Sequence, residues 1–139
     1  MQPPVMTVTV EDSMDIMIVR DTVRRAGNLL GFSPADRSQF ASAAATLAEL
    51  VLKAGGQQDI HLNGVRQAQK TGLQVSASAP WLTNVSANNV VIALKSKLGD
   101  LVDEIVVQGE TPPVIYLVMW LGTSHRAERV TLGDGDGGR

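Results

Sequence analysis

The stretch 33-SPADRSQFASAAATLAELVLKAGG-56 decides the fold, because it carries both the start and the stop signals of one long helix. Ser33 is a favourable N-cap residue, and Pro34 fits the first helical position, where no backbone N–H is needed. The alanine-rich run 41–45 provides a flat surface that another element can approach closely. Gly55 and Gly56 end the helix at about Ala54. Apolar residues recur at helical spacing and predict one buried stripe, formed by Phe40, Ala43, Leu47, Val51 and Ala54.

Two elements are predicted on the N-terminal side of this helix. Residues 6–10, MTVTV, alternate apolar and β-branched side chains and predict a first strand. Residues 15–30 predict an amphipathic helix, which Gly31 is expected to cap. The apolar face of this helix consists of Ile16, Val19, Val23, Ala26 and Leu30, and its solvated face carries Arg20, Asp21, Arg24 and Arg25.

On the C-terminal side, the pattern predicts two hairpins separated by a third helix. The predicted elements are strands at 59–67 and 73–78 with a turn at 69–72, an irregular link at 80–84, a helix at 87–101, and strands at 104–107 and 114–120. The order β-α-α-β-β-α-β-β predicts an α/β (α+β) two-layer sandwich. Its sheet of about five strands is expected to be mixed, although an antiparallel arrangement is also compatible, with three helices on one face. We predict a single domain over residues 1–122 and a flexible polar tail over residues 123–139.

Composition restricts the function classes. The chain has 139 residues, a net charge of −2 and no cysteine, so disulfides and thiolate metal sites are excluded. A net negative charge offers no basic field for a phosphate backbone, and we expect no nucleic-acid partner. The N-terminus lacks the pattern of a secretory signal, and no apolar stretch is long enough to cross a bilayer. We therefore expect a cytoplasmic protein that has no membrane contact.

Residue types that carry chemistry are sparse. Only two histidines occur, His61 and His125, and without cysteine they predict no metal site. The acidic pairs 11–12 and 103–104 could serve general acid–base chemistry, but both are expected at exposed ends of strands or helices. Trp120 closes an apolar strand and is predicted to lie in the core. Trp81 lies in the short link, where it is either a lid over the core or an exposed anchor for a partner.

Several segments resemble one known family. They are 15-DIMIVR-20, 30-LGFS-33, 41-ASAAATLAELVLKAGG-56, 72-GLQV-75 and 101-LVDEI-105. Together they resemble the anti-sigma regulatory serine kinases, the switch-protein kinases that share the histidine-kinase-like ATPase fold. The resemblance covers roughly residues 6–121 and is most specific in the second helix. It implies the histidine-kinase-like ATPase fold for this chain.

The chain departs from this family at the positions that carry its chemistry. In the family, the second helix has a glutamate as general base and, four residues later, an asparagine that holds magnesium. These positions fall on Thr46 and Leu50, which can neither accept a proton at neutral pH nor bind a hard cation. The family's adenine-reading aspartate falls on Ala79. The glycine-rich phosphate lid is replaced by residues 81–86, which contain no glycine.

The resemblance and its missing groups together predict a pseudokinase that retains the fold but has lost canonical ATP and magnesium binding. We expect a non-catalytic, anti-sigma-regulator-like module that acts in bacterial signalling or transcription control by binding a protein. Its partner would be an antagonist-type regulator or a sigma factor, and a homodimer is also compatible with the sequence. No cofactor and no metal are expected. The predicted contact residues near the former nucleotide pocket are Trp81, Leu82, Asn84, Asn88 and Asn89.

Two alternatives remain open from the sequence. One is a divergent ATP-dependent serine kinase with a non-canonical site that uses Glu49 and Asp100. The other is a structural dimerisation domain that shares only its topology with the kinases, since a shared fold does not establish a shared function.

Overall fold

The computed structural model describes residues 5–55, 58–109 and 112–122. Within them the chain forms a five-stranded sheet and three α-helices, which confirms the α+β class. The elements are β1 (Val5–Val10), α1 (Ser13–Leu30), α2 (Pro34–Lys53), β2 (Gln58–Gln67), β3 (Lys70–Ser78), α3 (Ala87–Leu98), β4 (Glu104–Gln108) and β5 (Val114–Trp120). One turn of 3₁₀-helix, Pro80–Leu82, lies in the link that was expected to be irregular.

Local capping residues fix the ends of α1 and α2. The Asp12 carboxylate accepts a hydrogen bond from the Met14 N–H at the start of α1. Gly31 ends that helix at φ 92°, a left-handed conformation that glycine adopts without strain. The Ser33 hydroxyl accepts a hydrogen bond at 3.2 Å from the Asp36 N–H, as its N-cap position predicts. The prediction of where α2 begins is therefore confirmed.

The sheet has the strand order β1-β2-β3-β5-β4, and every neighbouring pair is antiparallel. The prediction of a mixed sheet is therefore wrong. The single helix α3 between β3 and β4 makes those two strands run parallel, as in a crossover connection. However, β5 inserts between them, so the parallel strands do not pair with each other.

One continuous core joins the helices to one face of the sheet. On the strands this face includes Ile60, Leu62, Val75, Ile115 and Leu117, all buried. Helix α2 packs on β1, β2, β3 and β5 and is the central helix of the layer. Its alanines at positions 41, 43, 44, 45 and 48 are almost wholly buried, so they allow the close approach that their small size predicts.

Trp120 is buried, and it lies on the sheet face opposite to the helices rather than in the cluster between the helices and the sheet. It alternates with Met119, which faces the core, and it lies across from Gly72 on β3. A Cβ added at Gly72 would lie only 2.7 Å from Cε3 of Trp120. The indole N–H donates to the Glu104 carboxylate, and the Lys70 ammonium lies 5.6 Å from the ring centroid.

The two largest shifts of predicted boundaries are of three residues each. Helix α3 ends at Leu98 rather than at residue 101, because Gly99 caps the helix. The Gly99 N–H donates a hydrogen bond to the Lys95 carbonyl. Strand β3 begins at Lys70, so the β2–β3 turn is shorter than predicted. The predicted polar tail, residues 123–139, lies outside the described residues, and the division of the chain at residue 122 stays a prediction.

Candidate functional site

An apolar cavity of about 210 Å³ lies between α2 and α3, beside the 3₁₀ turn. We call it the α2–α3 groove. It is lined by Leu50, Trp81, Leu82, Val85, Asn89, Val90, Ala93, Leu94, Lys97 and Ile115. Leu50 comes from the last turn of α2, and Ile115 comes from β5, an interior strand of the sheet. The other lining residues belong to the 3₁₀ turn, the link after it and one face of α3.

Backbone hydrogen bonds hold the link that forms one wall of the groove. The N–H of the buried Ala79 donates to the Pro113 carbonyl at 2.8 Å, which ties the end of β3 to the start of β5. The Leu82 N–H donates to the Ala79 carbonyl at 2.9 Å, and the Val85 N–H donates to the Leu82 carbonyl at 2.9 Å. The link is thus a stack of tight turns that fixes where Trp81 and Leu82 lie.

Helix α3 forms the second wall, and its first turn is capped. The Ser86 hydroxyl accepts a hydrogen bond at 3.3 Å from the Asn89 N–H. Asn89, Ala93 and Lys97 follow at four-residue spacing and therefore share one face of the helix. The buried Leu94 joins this wall to the hydrophobic core.

The chemistry of the groove is that of an apolar contact site. Among the described residues, only Asn89 and Lys97 contribute polar side chains to its lining, and none of the carboxylates in that part of the chain lines it. Its volume is below the roughly 300–1,000 Å³ of small-molecule sites. Without a carboxylate the lining offers no charged oxygen to a divalent cation. Lys97 places one positive charge among the apolar residues.

The predicted contact residues are largely brought together. Trp81, Leu82 and Asn89 line the groove. Asn84 lines a neighbouring cavity of about 520 Å³, which shares Val85 with the groove. Asn88 is exposed on the first turn of α3.

Sequence reasoning missed other lining residues of the groove. Ala93 and Lys97 could have been found from Asn89, because they follow it on the same helical face. Ile115 could not have been found in this way, because only the pairing of β5 with β3 places that strand beneath the groove. Trp81 is 36% exposed, so it contributes both to the wall of the groove and to the accessible surface.

The three degenerate positions have structural roles. The Thr46 hydroxyl donates to the Ser42 carbonyl one turn earlier in α2, at 3.0 Å. Leu50, one turn further on, packs against the core and lines the groove. Ala79 is wholly buried.

The residues suggested for a non-canonical kinase site are far apart. Glu49 is exposed near the end of α2. The Asp100 carbonyl accepts a hydrogen bond from the side chain of Gln39. Gln39 lies on α2, ten residues before Glu49. Ten helical residues span about 15 Å, so Glu49 and Asp100 lie toward opposite ends of α2.

The acidic pairs and the described histidine belong to the scaffold. Asp12 caps α1, and the Asp103 carboxylate accepts a hydrogen bond at 2.7 Å from the backbone N–H of Trp120. His61 is exposed, and its Nδ1 atom lies 3.1 Å from the Thr7 hydroxyl oxygen. His125 lies outside the described residues. Within the described part of the chain, no group of three or more histidine, aspartate or glutamate side chains is placed to hold a metal ion.

Comparison of the chain with protein-family models gives no match, and comparison with curated proteins gives no significant match. Among the described helices, none has the length and apolar content needed to span a membrane.

Proposed function

We propose that this chain is a non-catalytic protein-binding module on a degenerate histidine-kinase-like ATPase fold, similar to the anti-sigma regulatory serine kinases. In this proposal it acts in the bacterial cytoplasm, in signalling or transcription control, and its partner is an antagonist-type regulator or a sigma factor. The partner would bind across the α2–α3 groove. The element order along the chain agrees with the resemblance that motivates the proposal.

The observation that carries the proposal is the composition of the α2–α3 groove. Leu50 stands at the position where the family has its magnesium-binding asparagine, and it lines this groove together with Trp81 and Leu82. Apolar side chains occupy the walls that would otherwise contact phosphates and a metal ion. Such a lining favours the apolar side chains of a protein over a nucleotide triphosphate.

The apolar lining of the groove and its single positive charge also indicate what kind of partner segment would fit. Trp81 and Val85 are exposed beside a concave apolar floor, the arrangement in which aromatic anchors contribute strongly to protein interfaces. Lys97 would pair with an acidic side chain at the edge of the contact. The partner segment is therefore expected to present apolar side chains flanked by a carboxylate.

Quantitative partner capture tests this proposal. The wild-type chain, Trp81→Ala and Ile92→Ala are compared as baits in the same bacterial extract, and the bound proteins are identified. Ile92 is the matched control, because it is 59% exposed on the same helix α3 but does not line the groove. We expect a specific partner that is retained by Ile92→Ala and lost with Trp81→Ala. Equal capture by all three baits would refute binding through the groove.

A nucleotide titration separates the proposal from a divergent kinase. A ligand at about 100 times its dissociation constant stabilises the folded state by roughly 2.7 kcal/mol. For a domain of this size, that raises the melting temperature on the order of 5–15 °C. We expect no shift with ATP and magnesium. A clear shift would contradict the pseudokinase interpretation and support the kinase.

A further inference from the structure

Strand β4 is the last strand of the sheet, and it pairs with β5 on one side only. Its sequence, EIVVQ, has neither a proline nor a charged residue among its three middle positions. Natural proteins usually protect an exposed edge strand with such residues or with a covering segment, because an open edge binds another strand. In the part of the chain that the structure describes, no further strand pairs with the outer side of β4. This edge is therefore open to the addition of a strand.

The hydrogen bonds between β4 and β5 show which backbone groups of β4 point outward. The Val118 carbonyl accepts a hydrogen bond at 2.9 Å from the Asp103 N–H, so Val118 directs its backbone groups toward β4. Val118 is opposite Glu104, and backbone groups alternate in direction along an antiparallel strand. Glu104 and the alternate residues after it are therefore bonded to β5. Ile105 and Val107 direct their N–H and C=O groups away from β5.

The side chains of the same two residues are only partly covered. Ile105 and Val107 are half-buried, and both pack against the hydrophobic core from the helix side of the sheet. Residues that are directly opposite in two antiparallel strands place their side chains on the same face. A strand added to β4 would therefore bind the backbone of Ile105 and Val107 and set its own apolar side chains beside theirs.

A cavity of about 580 Å³ lies beside the N-terminal end of β4 and has an acidic lining. Among the described residues, its lining has three carboxylates, from Asp100, Asp103 and Glu104, and one cation, Lys95. Hydrogen bonds to Trp120 hold the carboxylates of Asp103 and Glu104 in place. The C-terminal end of an antiparallel strand would lie at this end of β4. Basic side chains at that end of the strand would complement the charge of the cavity.

We propose that β4 binds an extended segment of another protein by strand addition, in the antiparallel direction. The segment has apolar side chains at alternate positions and lysine or arginine near its C-terminal end. Backbone hydrogen bonds to Ile105 and Val107 supply affinity, and the acidic cavity selects the direction and the charge of the segment. The inference goes beyond the proposed function, because β4 and its cavity share no residue with the α2–α3 groove. The two proposals therefore fail separately.

Synthetic peptides test the inference by fluorescence anisotropy with the full chain. The probe is the labelled peptide TVTVTVKVK, and we expect it to bind with a dissociation constant within about 1–500 µM. TVTVTVEVE should bind about tenfold more weakly or worse, because its carboxylates meet the acidic cavity. The reversed peptide KVKVTVTVT has the same composition as the probe and should bind about threefold more weakly. It can bring its lysines to the cavity only by pairing parallel to β4, which is the less stable arrangement. No binding of the probe, or equal affinities of the three peptides, would overturn the inference.

Two N-methylated forms of the probe test the backbone hydrogen bonds. The valines lie on the face of Ile105 and Val107, so their N–H groups donate to β4. Methylation of the two central valines should weaken binding about tenfold or more, because two backbone hydrogen bonds are lost. Methylation of the two central threonines should leave the affinity within about threefold, because their N–H groups point away from β4. Equal losses from the two modifications would contradict strand addition.

Variants of the chain locate the site of binding. Val107→Pro removes an outward N–H without removing a bond to β5, and it should weaken binding of the probe about tenfold or more. Asp100→Asn should weaken binding about threefold. Glu49→Gln, at an exposed carboxylate on α2 outside the cavity, should leave it unchanged.

Thermal unfolding verifies that each variant is folded, and the methylated peptides decide the question if Val107→Pro is not. Binding of the probe by a folded Val107→Pro with wild-type affinity would overturn the inference. Sedimentation of the peptide-free chain checks the occupant of the edge. A dimer that Val107→Pro converts to a monomer would also overturn the inference, because a second copy of the chain would then cover β4.

Discussion

The α2–α3 groove and the outer face of α1 both present apolar side chains, but these side chains are held in different ways. In the groove, Leu94 and Ile115 are buried, so the floor of the groove is also part of the core. On the outer face of α1, Met17 and Leu29 project into solvent and contribute nothing to the core. The groove is therefore a concave apolar surface backed by the core, which suits a protein partner.

The largest expected effect concerns stability. Leu94→Ala leaves a cavity beneath the groove and should lower the free energy of unfolding by about 2–4 kcal/mol. Leu29→Ala removes an exposed side chain and should change it by less than about 0.5 kcal/mol. Urea unfolding at a dilution where the chain is monomeric measures both changes. Similar losses for the two variants would abolish the distinction between the two surfaces.

The next effect concerns binding in the groove. Trp81→Ala should weaken binding of the captured partner by roughly 2 kcal/mol, which is about 30-fold in the dissociation constant. Isothermal calorimetry with the purified partner measures the change, and Ile92→Ala provides the control. An unchanged affinity would remove Trp81 from the interface.

A smaller effect is expected from the cap of α3. Ser86→Ala removes the acceptor for the Asn89 N–H and should lower the free energy of unfolding by about 1 kcal/mol. Ser96→Ala, within the same helix and exposed, should have no destabilising effect, because alanine is the better helix former. Chemical denaturation compares the two. If Ser96→Ala cost as much as Ser86→Ala, the loss could not be assigned to the cap.

The smallest effect is expected at the ion pair between Asp21 and Arg25 on the outer face of α1. Asp21→Asn should cost only about 0.3–0.5 kcal/mol, because an exposed pair four residues apart on a helix contributes little. Thermal unfolding measures this loss. A loss above about 1 kcal/mol would contradict the assignment of this face as one that contributes little to stability.

Local signals made much of the fold predictable. The caps Ser33 and Gly31 depend on residues next to them in the chain, and helical spacing identified the buried faces of α1 and α2. The exception is Ala54, which was predicted to be buried but is exposed just beyond the end of α2. The parallel or antiparallel character of the sheet is a long-range property. It follows from β5 entering between β3 and β4, which no local pattern encodes.

Trp120 shows why the sheet face of a residue could not be predicted here. Every residue from Val114 to Trp120 is apolar, so the two-residue period that distinguishes the faces of a strand is absent. The face on which Trp120 lies is set by its register with Gly72, where the missing side chain leaves room for the indole.

The two surfaces were predictable to different extents. Trp81, Leu82 and Asn89 of the groove were predicted from their position near the former nucleotide pocket, and the structure brings them together. The exposed apolar side chains on the outer face of α1 were not predicted. The arginines and Asp21 of α1 indicated a solvated face, although Met17 and Leu29 lie on the same side of the helix as Asp21.

Site-specific photocrosslinking in living bacteria tests most directly whether the groove binds a protein. A photoreactive amino acid replaces Leu82 in one variant and Ile92 in another, and adducts are resolved by mass. We predict one discrete adduct with another protein at position 82 and none at position 92. No adduct at position 82, or the same set of adducts at both positions, would contradict the assignment of the α2–α3 groove as a protein-binding site.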